Sequence, residues 1–114
     1  MVLKESKITR KSFKDILDNG QGFYSPFFNL KVLKLDHPTN KPVFKVVVSS
    51  KVAKKAHDRN FLKRRVKSVV YTTPQLNPNL CFIVFTKPGL KDKSFAIIKD
   101  DLQKLLKSSG VILK

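Results

Sequence analysis

Tryptophan is absent and cysteine occurs once, at position 81, so no intrachain disulfide and no cysteine-rich zinc site can form. Cys81 sits in the apolar run CFIVF, where a thiol acts as a small buried hydrophobe rather than a nucleophile. Histidine is nearly as scarce. His37 falls in a turn and His57 in a basic stretch, with no third partner at a triad or metal-ligand spacing. Only eight residues are acidic. The adjacent pair Asp100 and Asp101 projects ~100° apart on a helix and cannot converge on one metal, so it is read as pairing with Lys104 or solvating the surface. These shortages argue against an independent nuclease and leave no residue to nominate as catalytic or metal-binding. No apolar run approaches the ~20 residues of a membrane span, and MVLKESKITRKSFK lacks a signal-peptide apolar stretch; the expectation is a cytoplasmic protein. Without a Gly/Ser-rich or Pro-rich linker, residues 1–114 are expected to form a single domain.

What is abundant is positive charge. Twenty-four Lys and Arg against the eight acids give a formal charge of +16. Self-repulsion of that size destabilises the free protein, and a polyanion would relieve it. Nucleic acid is the favoured partner, with an anionic membrane surface second. A disordered basic tail is the wrong description, because 41% of residues are hydrophobic, nine of them Phe, enough for a packed interior.

Residues 9–19 read as a first helix, capped at Thr9 or Ser12, with Phe13, Ile16 and Leu17 at helical spacing and Gly20 as its stop. In FNLKVLKL, Phe28, Leu30 and Val32 alternate with Asn29 and Lys31. The alternation slips at Leu33 and Leu35, which suggests a bulge. After a turn over His37 to Pro42, the β-branched run Val43 to Ser50 reads as a central strand covered on both faces. From Arg59 to about Tyr71, Leu62, Val66, Val69 and Val70 form one apolar helical stripe. CFIVFTK is a second buried strand ending at Pro88 and Gly89. A last helix starts at a Ser94 cap, presents Phe95, Ile98, Leu102, Leu105 and Leu106, and stops at Gly110. The order is α-β-β-α-β-α, an α+β fold with three clear strands.

The informative segment is KVAKKAHDRNFLKRRVK, residues 51–67, with eight of the 24 basic residues and one acid. At ~100° per residue, Asn60, Lys63, Arg64 and Lys67 fall within an arc of roughly 100° beside the apolar stripe. Guanidinium groups at Arg59, Arg64 and Arg65 can grip phosphates bidentately, and Lys63 and Lys67 add mobile point charges. Asn60 adds a neutral donor and acceptor, and Lys51, Lys54 and Lys55 extend the basic loop. In an ordinary protein such a face is a solvated surface; the charge surplus across this chain tips the reading towards binding.

The run Arg59-Asn60-Phe61-Leu62-Lys63-Arg64 resembles the arginine-asparagine-arginine signature of bacterial ribonuclease P proteins. The likeness spans nearly the whole chain: Phe13 to Gly20 is similar to that family's first helix, Phe82 to Gly89 to its last strand and Pro-Gly turn, and Ser94 to Gly110 to its final helix. Three departures mark a divergent member. Phe61 stands where an arginine is usual, so one grip on phosphate is missing or shifted to Arg65. The crossover begins Ser49-Ser50-Lys51 rather than Ser-Lys-Lys. Its loop is one residue longer, with Ala53 where glycine is common and Lys54 and Lys55 to compensate.

The resemblance implies a four-stranded mixed sheet like a domain of ribosomal protein S5, with a left-handed βαβ crossover where general topology rules favour a right-handed one. The fourth strand is expected around Leu33 or from a split of Phe27 to Leu35. It also implies an accessory subunit of an endoribonuclease that removes the 5′ leader from precursor tRNA, in which the RNA subunit holds the reacting metal ions. No cofactor is expected on the protein alone, and magnesium is expected in the RNA holoenzyme. The implied partners are the catalytic RNA and precursor tRNA, with no membrane and no obligatory protein partner. Lys51, Lys54, Lys55, Arg59, Asn60, Lys63, Arg64, Arg65 and Lys67 would dock on the RNA subunit. Phe13, Leu17, Phe28 and Lys31 would line a cleft for the single-stranded leader, since unpaired bases favour aromatic platforms with cations. Leu17 and Lys31 replace positions where the family carries aromatics, and Phe13, Leu17 and Phe28 as plain core residues is the competing reading. A structural RNA-binding protein of ribosomal type remains the alternative function. A membrane-surface protein would need exposed bulky apolar residues on its basic helix.

Overall fold

The computed structural model describes residues 10–35 and 43–112. The expected caps at Thr9 and the Ser12 side chain, and the turn over 37–42 with His37, lie outside what it describes. The elements are α1 (Arg10–Asn19), β1 (Gln21–Tyr24), β2 (Phe28–Lys34), β3 (Val43–Val47), α2 (Ala56–Thr72), β4 (Leu80–Thr86), a 3-10 turn (Leu90–Asp92) and α3 (Phe95–Ser108). The fold is α+β, as the patterning indicates. The sheet order is β1-β2-β4-β3. β2 is antiparallel to β1 and β4, while β3 runs parallel to β4. The parallel pair needs a long crossover, and α2 is that crossover.

The fourth strand lies neither around Leu33 nor in a split of Phe27 to Leu35. It is β1, which pairs with β2 from Gln21↔Val32 to Tyr24↔Asn29. Nor does β2 contain a bulge: its register with β4 runs unbroken from Phe28↔Thr86 to Lys34↔Leu80. The apparent slip arises because both faces of the sheet are covered. Phe28, Leu30 and Val32 point to the larger core with α2 and α3. Leu33 and Leu35 pack in a smaller core, where Ile16 of α1 meets Cys81 and Ile83. A strand with an apolar requirement on each face loses its period-two signal.

In the larger core, Leu62, Val66, Val69 and Val70 of α2 are all buried, as are Ile98, Leu102, Leu105 and Leu106 of α3. These are the stripes the spacing predicts, and each full burial contributes about 1.5–3 kcal/mol before conformational entropy is set against it. Phe44 stacks on Phe82 at 5.3 Å and meets Tyr71 edge-on at the same distance, tying β3 and β4 to the end of α2. α3 begins at Ser94, whose Oγ accepts a hydrogen bond from the Ile97 amide at 3.3 Å, and it gives way at Gly110, φ +86°, a conformation that strains any L side chain.

Gly20 ends α1 for a different reason. Its amide donates to the Ile16 carbonyl at 2.8 Å, and a Cβ at this position would stand 2.5 Å from that oxygen and 3.0 Å from the Val32 carbonyl. Only glycine lets α1 turn directly into β1 against β2.

The adjacent acids of α3 separate in role. Asp100 pairs with Lys104 at 3.2 Å, as expected. Asp101 does not join it. Its Oδ2 accepts from the Ser25 hydroxyl at 2.7 Å and from the Phe27 amide at 3.0 Å. Lys87 Nζ donates to the Ser25 carbonyl at 2.6 Å. The turn between β1 and β2 is thus held by α3 and by the residue just after β4.

Candidate nucleic-acid interface

The crossover from β3 to α2 is built around a two-residue plug. The Ser49 carbonyl accepts from the Val52 and Ala53 amides at 3.0 and 3.2 Å, and both side chains are buried. Tucking Val52 and Ala53 inward leaves Lys51, Lys54 and Lys55 exposed. Arg59 locks this arrangement: its Nη1 donates to the carbonyls of Ala53 at 3.0 Å and Lys54 at 2.7 Å. On the helical wheel Arg59 lies on the core side of α2, near the apolar stripe, which is why its guanidinium turns back onto the loop. Its Nε and Nη2 carry three further N–H groups.

Along α2, Asn60, Arg64 and Lys67 are exposed and Lys63 is half-buried, on the arc the spacing predicts, turned away from Leu62, Val66, Val69 and Val70. Arg65 lies apart from them. It is half-buried on the flank facing α3, with its guanidinium carbon 4.6 Å from the centre of the Phe61 ring and 5.4 Å from that of Phe95. Phe61 itself stays outside the core, 43% exposed. Asp58, in the first turn of α2, pairs with Lys91 at 3.3 Å; a carboxylate at that end also suits the helix dipole.

A second surface lies where α1 crosses the sheet. Strand parity puts Tyr24, Asn29, Phe85 and Val47 in one row on this face, and Gly22, Lys31, Ile83 and Lys45 in the next. Phe13 is half-buried against this side, with Lys45 Nζ 6.0 Å from its ring centre. Leu17 is 36% exposed, and Lys31 is half-buried. Phe13 and Leu17, one turn apart on α1, therefore lie on the same side of the sheet as Lys31.

Phe28 does not join them, and its assignment to the cleft is corrected. It is completely buried in the larger core on the opposite side of the sheet, because residues 28 and 31 differ by an odd number along a strand and point to opposite faces. Sequence reasoning missed Tyr24, which is 69% exposed, together with Lys45 and Phe85. β1 and its register with β2 reveal Tyr24, and the pairing of β4 with β2 and β3 reveals Phe85 and Lys45; β1 carries no alternation to find it by.

Cys81 is inert. Burial, the largest cause, and the Asp15 carboxylate push its thiol above its ordinary value, against a smaller lowering by a backbone hydrogen bond. Among the described residues no group of three or more His, Cys, Asp or Glu side chains is placed to hold a metal ion, and no helix is long and apolar enough to cross a membrane.

Comparison with known proteins agrees with this architecture. The family model described as Ribonuclease P matches residues 4–110. A ribonuclease P protein component from Pseudoalteromonas atlantica is 34% identical over 83 residues, covering 73% of this chain and 68% of the relative. One from Rippkaea orientalis is 27% identical over 106 residues, covering 90% and 84%. Among solved structures, the RNase P protein of Staphylococcus aureus superposes with a TM-score of 0.83 at 21% identity, over 96% of this chain and 99% of that one. The Thermotoga maritima RNase P protein gives 0.77 at 23%, over 87% and 92%. A basic helix crossing between parallel strands and the match over residues 4–110 lead to one conclusion: this chain belongs to the ribonuclease P protein family.

Proposed function

We propose that this protein is the accessory protein subunit of ribonuclease P, binding the catalytic RNA through the crossover loop and α2 and binding the 5′ leader of precursor tRNA in the cleft under α1. The observation that carries the reading is the division of α2 into a buried stripe and an exposed face of Asn60, Arg64 and Lys67, continued by Lys51, Lys54 and Lys55. Such a face neutralises phosphates without consuming any residue the core needs.

The cleft supports leader binding through its composition. Phe13 and Tyr24 offer aromatic surface, and Lys31 and Lys45, in the row of the sheet next to that of Tyr24, supply charge, the combination that suits an unpaired strand. The protein's part is to bind and orient; magnesium ions held with the RNA supply the Lewis-acid chemistry of phosphodiester hydrolysis. Asp100 and Asp101 take no part in it, being engaged with Lys104 and with the hairpin turn.

The test is cleavage of a precursor tRNA at low magnesium by the catalytic RNA of the same genome, with and without the protein, beside a Lys63→Gln, Arg64→Gln, Lys67→Gln variant. Arg59 is left intact because its substitution would also disturb the loop. Stimulated cleavage at the mature 5′ end that the triple variant loses supports the reading. Tight RNA binding without stimulation would instead favour a structural role of ribosomal type.

A further inference from the structure

On the side of the sheet away from the leader cleft, a groove of about 530 Å3 runs between the first half of α2 and the start of α3. Its floor is Leu62 and Ile98, both buried. Its walls are the rings of Phe61 and Phe95, 43% and 38% exposed, with the Arg65 guanidinium lying against both. Its rim carries Lys91 and Lys93. The one acid lining it, Asp58, is paired with Lys91.

This arrangement is poorly explained as packing. Phe61 and Phe95 leave much of their surface in water. Exposed apolar surface rimmed by charge marks an interaction site. The volume lies within the usual range for ligand pockets, ~300–1,000 Å3. Three cations against one acid select an anionic occupant, and aromatic faces with a guanidinium plane select a flat ring. A nucleotide whose base has left its helix is both at once.

We propose that this groove holds an unpaired nucleotide of the RNA partner, its base stacked against Phe95 and Phe61 and its phosphate held by Lys93 and Lys91. The proposal rests on RNA being the partner, and it adds a binding point beyond the cationic face of α2. Arg65 fixes the angle between the two rings, and Phe61, at the signature position where arginine is usual, is a stacking wall. The face carrying Arg64 and Lys67 grips backbone phosphates of any sequence; this groove requires a base that is free to stack, so it selects for RNA shape.

The test measures the affinity of the catalytic RNA of the same genome for the wild type, Phe95→Leu, Phe61→Leu and a Lys91→Gln, Lys93→Gln variant over a range of salt concentrations. Chemical probing of the RNA 2′-hydroxyls accompanies the wild type and Phe95→Leu. Leucine keeps the apolar surface and removes the π-face, and thermal unfolding verifies that each variant is folded. Each Phe→Leu change is expected to weaken binding at least about fivefold, the lower end of stacking on one base, with an unaltered salt slope. The lysine variant is expected to flatten the slope by ~0.7 for each phosphate it no longer neutralises. In the probing experiment, one short unpaired segment protected by the wild type regains reactivity with Phe95→Leu. Wild-type affinity in both folded Phe→Leu variants, with protection retained in Phe95→Leu, would overturn the groove while leaving the RNA partner standing, and would point to an acidic protein segment as its occupant. Absence of RNA binding by the wild type itself would overturn both.

Discussion

Under the proposed function Arg59 serves both loop geometry and RNA affinity, and its replacement by alanine tests both at once. The Nη1 bonds to the Ala53 and Lys54 carbonyls have a charged donor, worth about 1.5–3 kcal/mol each when shielded. Ala53 is 3% exposed, so its carbonyl lies beside a buried residue, whereas Lys54 is exposed and its carbonyl has ready access to water. Counting the first bond nearly in full and the second hardly at all gives a loss of about 2 kcal/mol. With an unfolding entropy of roughly 2.1 cal/mol/K per residue, 114 residues give about 0.24 kcal/mol/K, so Tm should fall by about 8 °C. Amide hydrogen exchange should accelerate at residues 52–55 more than in the last turns of α2. RNA affinity should fall by more than for Arg64→Gln, because the loop that presents Lys51, Lys54 and Lys55 loses its anchor along with one cation. The assay is urea and thermal unfolding combined with exchange on the free protein. An Arg59→Ala protein with unchanged Tm and unchanged loop exchange, yet weaker RNA binding, would refute the clamp and make Arg59 a phosphate ligand only.

Three further outcomes follow from particular interactions. Gly20→Ala should cost about 1–3 kcal/mol in denaturant unfolding, since the new Cβ meets backbone oxygens at 2.5 and 3.0 Å that cannot rotate away; a loss below ~0.5 kcal/mol would show that α1 adjusts freely. Asp101→Ala should lower stability by about 2 kcal/mol and speed exchange at the Phe27 amide, whereas Asp100→Ala should change neither measurably, because an exposed ion pair contributes little. Cys81 has a folded-state pKa raised by burial, so its contribution to stability is fully present below the unfolded thiol value of ~8.5 and is lost as pH rises towards and through the folded value. The stability difference between wild type and Cys81→Ala should therefore shrink above about pH 8.5, by at most ~1.4 kcal/mol per pH unit; a difference that urea titrations find constant from pH 7 to 9.5 would contradict it.

The parts of this molecule that can be read from sequence are those with a single apolar face. α2 and α3 each bury one stripe and expose the rest, so Leu62, Val66, Val69 and Val70, and Ile98, Leu102, Leu105 and Leu106, are recognisable by spacing alone. The cationic arc of α2 is recognisable for the same reason. The sheet is harder because α1 covers one side and α2 with α3 the other. Leu33 and Leu35 look like a broken alternation while they serve the second core, and Phe28, which the family likeness places in the cleft, belongs to the first. β1 is four residues with a glycine among them, and it exists because β2 offers an edge. Asp101 finds its partners, Ser25 and Phe27, more than seventy residues away, a distance over which no local pattern operates.

The position of β4 in the sheet also bears on how the chain is made. It lies between β2 and β3 and pairs with both, yet it begins only at Leu80. Until it emerges, β3 has no strand to pair with, β2 has only the short β1, and the apolar faces of α1 and α2 have no completed sheet to cover. At roughly 5–20 residues per second of synthesis, the interval between the end of α1 and the start of β4 lasts several seconds. Topologies dominated by such distant pairings fold slowly once complete. Lys51, Lys54, Lys55 and the cations of α2 precede β4 in the chain and leave the ribosome ahead of it, so a polyanion can engage the nascent protein before its central strand is in place.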